Sequence, residues 1–246
     1  MSGARAEILA GIRRSLQRGP LDGPTEAELR ARVAAHRRNL VPARAAALDH
    51  AGQIDLFVAM TEAAQATVTR VPSAAAIPEA VARFLAAENL PAELVVAPDP
   101  GLDDIPWETR PLLRIRRGRA EPEDAVSLTP CFAAVAETGT LMLVSGAKTP
   151  TTLNFLPDTH IAVVRAGQIV ASYEDGWDRL RAATVPAAPA PGLPRTVNFI
   201  TGPSRTGDIE QRIVLGAHGP RRLHIVVVDD RQESDGQEAK DGQTQG

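Results

Sequence analysis

Two polar stretches of this chain carry residue types that site chemistry uses. The first is Ala136-Glu137-Thr138-Gly139-Thr140, a carboxylate, two hydroxyls and a glycine ahead of the apolar run Leu141–Val144. The second is Thr201-Gly202-Pro203-Ser204-Arg205-Thr206-Gly207-Asp208-Ile209-Glu210, which follows an apolar run ending at Ile200. Read as strand, glycine turn and helix start, the second stretch presents backbone N–H groups to a carboxylate, phosphate or sulfate. Ser204 and Thr206 add hydroxyls, and Arg205 adds a planar bidentate donor. Asp208 competes for the same donors, and Ser204, Thr206 and Asp208 serve equally well as plain caps. The lysine and glycine spacing of a Walker loop are missing. Glu137 has the chemistry of a general base, a nucleophile or a ligand acceptor. It could equally bond its own turn or pair with Arg205. Parallel α/β sheets set strand-end loops side by side. The two stretches therefore predict one site, with Glu137, Thr138, Gly139 and Thr140 on one loop and Gly202, Ser204, Arg205, Thr206 and Asp208 on the other.

Among His160, His218 and His224, His218 in Gly216-Ala217-His218-Gly219-Pro220 is the best placed for a site, in a glycine-flanked turn. His160 follows Asp158 at a strand start, and His224 falls inside the last strand and reads as core or edge. No His, Cys and carboxylate set has metal-ligand spacing. The single cysteine, Cys131, forms no internal disulfide and cannot hold an iron–sulfur cluster, which takes about four thiolates. It reads as a small buried residue. Neither a Gly-x-Ser-x-Gly elbow nor a Gly-x-Gly-x-x-Gly fingerprint is present, which argues against a hydrolase elbow and a Rossmann dinucleotide site.

The elements that must position these residues alternate between helix and strand. With 246 residues, 43% hydrophobic and only 3% aromatic, the chain supports one sizeable aliphatic core. A formal charge of −3 gives no reason to propose nucleic acid as a partner. Ile8, Ile12 and Leu16 make an amphipathic helix, and Thr25 with Glu28 suggests a capping box for a second one. This basic segment packs on the body or a partner subunit, or lies on a membrane. The body reads as helix 53–66, strand 67–71, a helix from Pro78, and strands 94–97, 112–115, 125–128, 133–135, 141–144, 161–165, 194–200 and 223–228. Between the last two, Asp208 begins a short helix through Leu215. That rhythm predicts an α/β fold with a mainly parallel central sheet, helices on both faces and an N-terminal helical segment. The expected divisions are 1–52 helical, 53–229 globular and 230–246 a disordered tail. Arg116-Arg117-Gly118-Arg119 is either an anion patch or a solvated edge-strand turn. No run reaches a membrane span, so a soluble cytoplasmic protein is expected.

The combination of Ala136–Thr140, Leu156-Pro157-Asp158-Thr159-His160, Thr201–Glu210 and Gly216–Pro220, in that order, resembles the lactate utilization protein C family, whose core is called the LUD domain. Gly207 stands where the closest family pattern has Ala. The resemblance covers roughly 53–229. It implies an isomerase and CoA-transferase-like fold and a cytoplasmic bacterial protein. It also implies a role in oxidising L-lactate to pyruvate beside two partner proteins, at least one an iron–sulfur protein, with no cofactor held by this chain. It supplies no catalytic residue. Assigning Glu137 and His218 as proton acceptors near an anion cradle is our reading of the residues. Two alternatives stand beside it: a stand-alone CoA-transferase-like or nucleotide-dependent ligase-type enzyme with Glu137 as nucleophile, and a non-catalytic assembly factor.

Overall fold

The computed structural model describes residues 2–17, 19–38, 40–184, 193–209 and 212–229. The expected tail 230–246 and the loop at 187–192 lie outside the described residues. The chain divides into two compact units, 1–40 and 41–246.

The first unit holds α1 (Ser2–Ser15) and α2 (Gly23–Ala35). Asp22, not Thr25, caps α2: its carboxylate accepts from the Thr25 N–H at 2.8 Å and from the Thr25 hydroxyl at 3.0 Å. Pro24, lacking an N–H, then falls in the first turn where none is needed.

The second unit begins with α3 (Ala43–Ala46) and α4 (His50–Ala63), then β1 (Thr67–Val71), α5 (Ile77–Ala87), β2 (Glu93–Val96) and β3 (Arg114–Arg117). It continues through β4 (Val126–Pro130), β5 (Ala133–Val135), β6 (Thr140–Val144), α6 (Thr152–Phe155), β7 (Thr159–Arg165), β8 (Ile169–Val170) and α7 (Tyr173–Thr184). It closes with β9 (Val197–Ile200), β10 (Arg205–Ile209), β11 (Arg212–Leu215) and β12 (Arg222–Val228). A six-stranded sheet, β1-β12-β7-β4-β2-β3, is parallel throughout. A four-stranded sheet, β8-β5-β6-β9, is mostly antiparallel, and β10 pairs with β11.

The inner strands of the parallel sheet are covered on both faces, which is why β2, β4, β7 and β12 are buried nearly throughout. Val81 and Leu85 of α5 pack on one face with Ile161, Val163 and Val226. On the other, Ile54 and Phe57 of α4 and Leu141 and Leu143 of β6 meet Ala162, Val164, Ile225 and Val227. Beyond the second sheet, Leu180 and Trp177 of α7 close over Met142. His224 sits on the α5 face, its ring stacked on Phe84 with centroids 4.0 Å apart and Nδ1 2.8 Å from the Thr67 hydroxyl. It is core, as its place inside the last strand suggested.

Two local expectations change. Leu141–Val144 lies not in the parallel sheet but in β6, paired antiparallel to β5 and β9. The helix expected from Asp208 to Leu215 is the β10–β11 hairpin. Thr206, Ile209, Ile213 and Val214 are β-branched and suit strands, and Gly207-Asp208 marks the register shift between Thr206 and Ile209 rather than a cap. The basic turn resolves as a solvated edge: Arg116 pairs with Asp124, Arg117 with Asp103 at 3.0 Å and Arg119 with Glu121 at 2.8 Å.

Phe57 is fully buried where α4 meets the two sheets. Phe57→Ala is expected to cost about 3–5 kcal/mol in a urea melt; a loss below about 1 kcal/mol would show that α4 is not seated as described.

Candidate functional site

The two polar stretches meet through α4. Gly139, in the β5–β6 turn, has φ +65°, and a Cβ there would overlap the Thr61 backbone nitrogen. Gly202, after β9, has φ +69°, and a Cβ there would overlap the Ala64 carbonyl oxygen. Both turns therefore press their bare backbones onto the last turn of the same helix, with the positive φ that glycine alone adopts freely. Arg205 closes the contact, donating to the Gln65 side-chain oxygen at 3.1 Å and the Ala64 carbonyl at 3.4 Å. A cation at the carbonyl end of a helix is favourably placed.

Between the turns lies a cluster of hydroxyls. The β6–β9 register brings Thr201 beside Thr140, their oxygens 2.6 Å apart. Thr138 lies 2.7 Å from Thr140, and the chain's one tyrosine, Tyr173, lies 3.0 Å from both. Four hydroxyl protons serve four oxygen–oxygen contacts, so the cluster satisfies its own donors.

On the far side of Thr201 opens a cavity of about 240 Å³ walled by 201–205, His218, Gly219 and Pro220, with the buried His160 at its inner end. Ser204 ties the walls together. Its N–H donates to the Pro220 carbonyl at 2.8 Å, its carbonyl accepts from Gly216 at 3.0 Å, and its hydroxyl accepts from the His218 N–H at 3.2 Å. Nε2 of His160 is 2.7 Å from the Thr129 hydroxyl, and Nδ1 has no partner among the described residues. Burial lowers the His160 pKa to about 4, so the ring is neutral at pH 7. Asn154, only 4% exposed, also lines the cavity.

The structure thus joins Gly202, Ser204, Arg205 and His218 around one cavity, and connects Thr138 and Thr140 to it through Thr201. Gly139 supports the arrangement from α4. Thr206 follows Arg205 in β10, and the Asp208 side chain lies outside the described residues. Glu137 is not in the cavity wall. It is buried, its N–H donates to the Ala171 carbonyl at 3.2 Å, and Oε2 has no partner among the described residues. It bonds neither Arg205 nor His218. The two loops do not belong to neighbouring parallel strands either. One turn joins antiparallel strands, and the cavity lies by the N-terminal ends of β7 and β12, where His160 and Leu223 line it. His160, Thr129, Asn154 and Tyr173 lie outside the site residues that the sequence predicts. The available signal was a polar side chain interrupting a buried run, as Thr129 does in β4 and His160 in β7.

The chain matches the LUD domain family model over residues 119–228. It is 40% identical over 162 residues to the lactate utilization protein C of Deinococcus radiodurans, across 63% of this chain and 70% of that protein. The chain belongs to the lactate utilization protein C family. The Geobacillus sp. WCH70 and Bacillus subtilis proteins of the same name are 38% and 35% identical, each match covering 43% of both chains. A crystal structure of a DUF162 family protein from D. radiodurans superposes with a TM-score of 0.54 at 30% identity, covering 74% of this chain and 99% of that one. The LUD match contains every cavity residue named above, whereas α4, the seat of both glycine turns, precedes it. Among the described residues no helix is long and apolar enough to cross a membrane, and no three His, Cys, Asp or Glu residues group as for a metal.

Two measurements check this geometry. Gly139→Ala and Gly202→Ala should each destabilise the fold by more than the ~1 kcal/mol of an ordinary glycine change, whereas Gly167→Ala, where a Cβ has open space, should not. Stability should also fall on acidification. His160 and His224 titrate near pH 6.5 unfolded but near 4 folded, so between those values the unfolded chain binds more protons. The stabilising preference for neutral rings is complete above about pH 6.5 and is lost as pH drops toward 4. In urea melts across this window, His160→Gln and His224→Gln should each flatten the pH slope by up to about one proton; an unchanged slope would contradict the neutral buried rings.

Proposed function

We propose that the chain is a subunit of a lactate-oxidising system and holds a small carboxylate, lactate or pyruvate, in the cavity between Ser204, Arg205, His218 and His160. The observation that carries this reading is the neutral, buried His160, which lines the cavity and whose Nδ1 has no partner among the described residues. A buried polar atom without a partner costs free energy that a ligand group would recover. Either tautomer suits the pair. With Thr129 donating to Nε2, Nδ1 carries the proton and donates to a carbonyl oxygen; with Thr129 accepting, Nδ1 accepts from a hydroxyl. The ligand carboxylate is set against Arg205, whose remaining N–H groups are not used by α4, and against the 202–205 backbone. His218, exposed at the mouth, is the group placed to take a proton. About 240 Å³ is roughly eight water volumes, ample for a six-atom acid.

In this reading Glu137, Thr138, Gly139 and Thr140 position the second loop and do not touch the ligand. A stand-alone transferase with Glu137 as nucleophile is less favoured, because Glu137 is buried away from the cavity wall. Iron–sulfur partners would carry the electrons, since the one cysteine here is buried and its thiol is pushed up to about 12 by desolvation.

Titration calorimetry of L-lactate and pyruvate tests the proposal. Saturable binding of at least one is expected, weakened about tenfold or more by His160→Phe and by Arg205→Ala. No binding of either ligand, or equal affinity in both variants, would leave the assembly-factor alternative.

A further inference from the structure

A second cavity of about 260 Å³ opens at the opposite end of the parallel sheet. From β2 the chain leaves toward β3, and from the adjacent β4 it leaves, through β5 and β6, toward β7 on the other side. The C-terminal ends of β2 and β4 are therefore the point where the connections diverge, and open α/β sheets hold ligands in that crevice. The walls come from the segments that follow those ends: Asp99, Gly101 and Leu102 after β2, and Cys131 and Phe132 after β4. The lactate reading places no ligand in this cavity.

Its chemistry is two-sided. Arg165 and Arg179 both line it. One guanidinium nitrogen of Arg165 is held by Asp104 at 2.7 Å and by the Gly101 carbonyl at 3.1 Å. Arg179 donates Nη1 to the Gly167 carbonyl at 2.7 Å. Both arginines are thereby oriented by one nitrogen with others left over, which suits a carboxylate. The negative group in the wall, Asp99, is turned to its own loop, accepting from the Gly101 N–H at 2.8 Å. Asn154, more than nine-tenths buried, lines this cavity too. Leu102, Leu143, Val144 and Val163 also line the cavity, three of them almost fully buried.

We infer that the cavity at the β2–β4 divergence is a second ligand site for an organic carboxylate with a short apolar chain, its head held by Arg179, Arg165 and Asn154 and its tail against Leu102, Leu143 and Val163. The volume is roughly eight water volumes, which matches an acid of about that many non-hydrogen atoms. The site is distinct from the first cavity but shares its wall. Asn154 lines both, and Thr129 in this cavity bonds His160 in the other.

Hexanoate titrated into the full chain by calorimetry tests the inference. Saturable binding is expected, weakened about tenfold or more in Arg179→Met, as loss of a charge-assisted hydrogen bond predicts. Val144→Phe, which fills the cavity from its rim without altering Arg179, should weaken it likewise, and thermal melts verify that both variants are folded. Arg205→Met, in the first cavity, should leave hexanoate binding unchanged. Absence of saturable hexanoate binding overturns the proposal. So does loss of binding in Arg205→Met with retention in Arg179→Met, which would place hexanoate in the first cavity. Inorganic phosphate binding as tightly as hexanoate would overturn the assigned ligand class. None of these outcomes depends on whether lactate binds.

Discussion

Two backbone turns from different parts of the second sheet press against the last turn of α4, and the rest of the first cavity depends on that contact. A side chain at Gly139 or Gly202 would strike helix backbone, which cannot swing aside as a flexible side chain can. The helix is itself fixed by Ile54, Phe57 and Thr61, all fully buried between the sheets. The positions of Thr201 and Ser204 are thus set by core packing rather than by the loops' own preferences. Arg205 then uses the helix's free carbonyl end as its anchor, so its guanidinium has a defined place even though the residue is exposed. Chemistry at a loop needs such support, because small errors in position cost much of the gain from pre-organised groups.

The buried polar residues follow a different logic. Ser127 donates to the Leu153 carbonyl at 2.6 Å and so fastens α6 to β4. Two residues on, Thr129 meets His160 across the neighbouring strand. Alternate positions of β4 thereby point to the same face: one holds the short helix carrying Asn154, the other holds the histidine ring. Desolvation keeps that ring neutral. A neutral imidazole can both donate and accept, whereas an imidazolium only donates. Neutrality here follows from burial, without a charged neighbour.

Much of this was legible in the chain, and the failures have physical causes. The 94–97, 161–165 and 223–228 runs are mostly apolar and rich in β-branched residues, 67–71 alternates Val68 and Val71 with polar residues, and all fall in or at the end of strands of the parallel sheet. Leu141–Val144 looks the same because it too is buried on both faces, by Leu143 toward the first sheet and Met142 toward α7. Apolarity reports burial and not the direction of the neighbouring strand, so a second sheet was invisible. Gly207-Asp208 imitated a helix start because a β-bulge and a helix N-terminus favour the same small polar residues. The grouping of 201–205 with 216–220 was legible as motifs, and Ser204 supplies its physical basis by bonding both. Glu137 drew attention by its chemistry alone. Its neighbours depend on how the β5–β6 turn meets α4, a tertiary contact with no local signature.

The two cavities use one sheet at its two ends, and the partition between them is made of few residues. A parallel strand has a fixed polarity, so its ends differ in what can be built there. At the C-terminal ends of β2 and β4 the divergence of the chain leaves a crevice by topology alone. At the N-terminal ends of β7 and β12 nothing in the sheet provides one; the cavity exists because β9 carries Thr201–Arg205 across from the second sheet. Thr129, His160 and Asn154 lie between these ends, joined by one hydrogen bond and one side chain common to both walls. The second sheet therefore does more than cover a face: it builds a cavity at the otherwise closed end of a parallel sheet, with a wall shared with the end that topology had already opened.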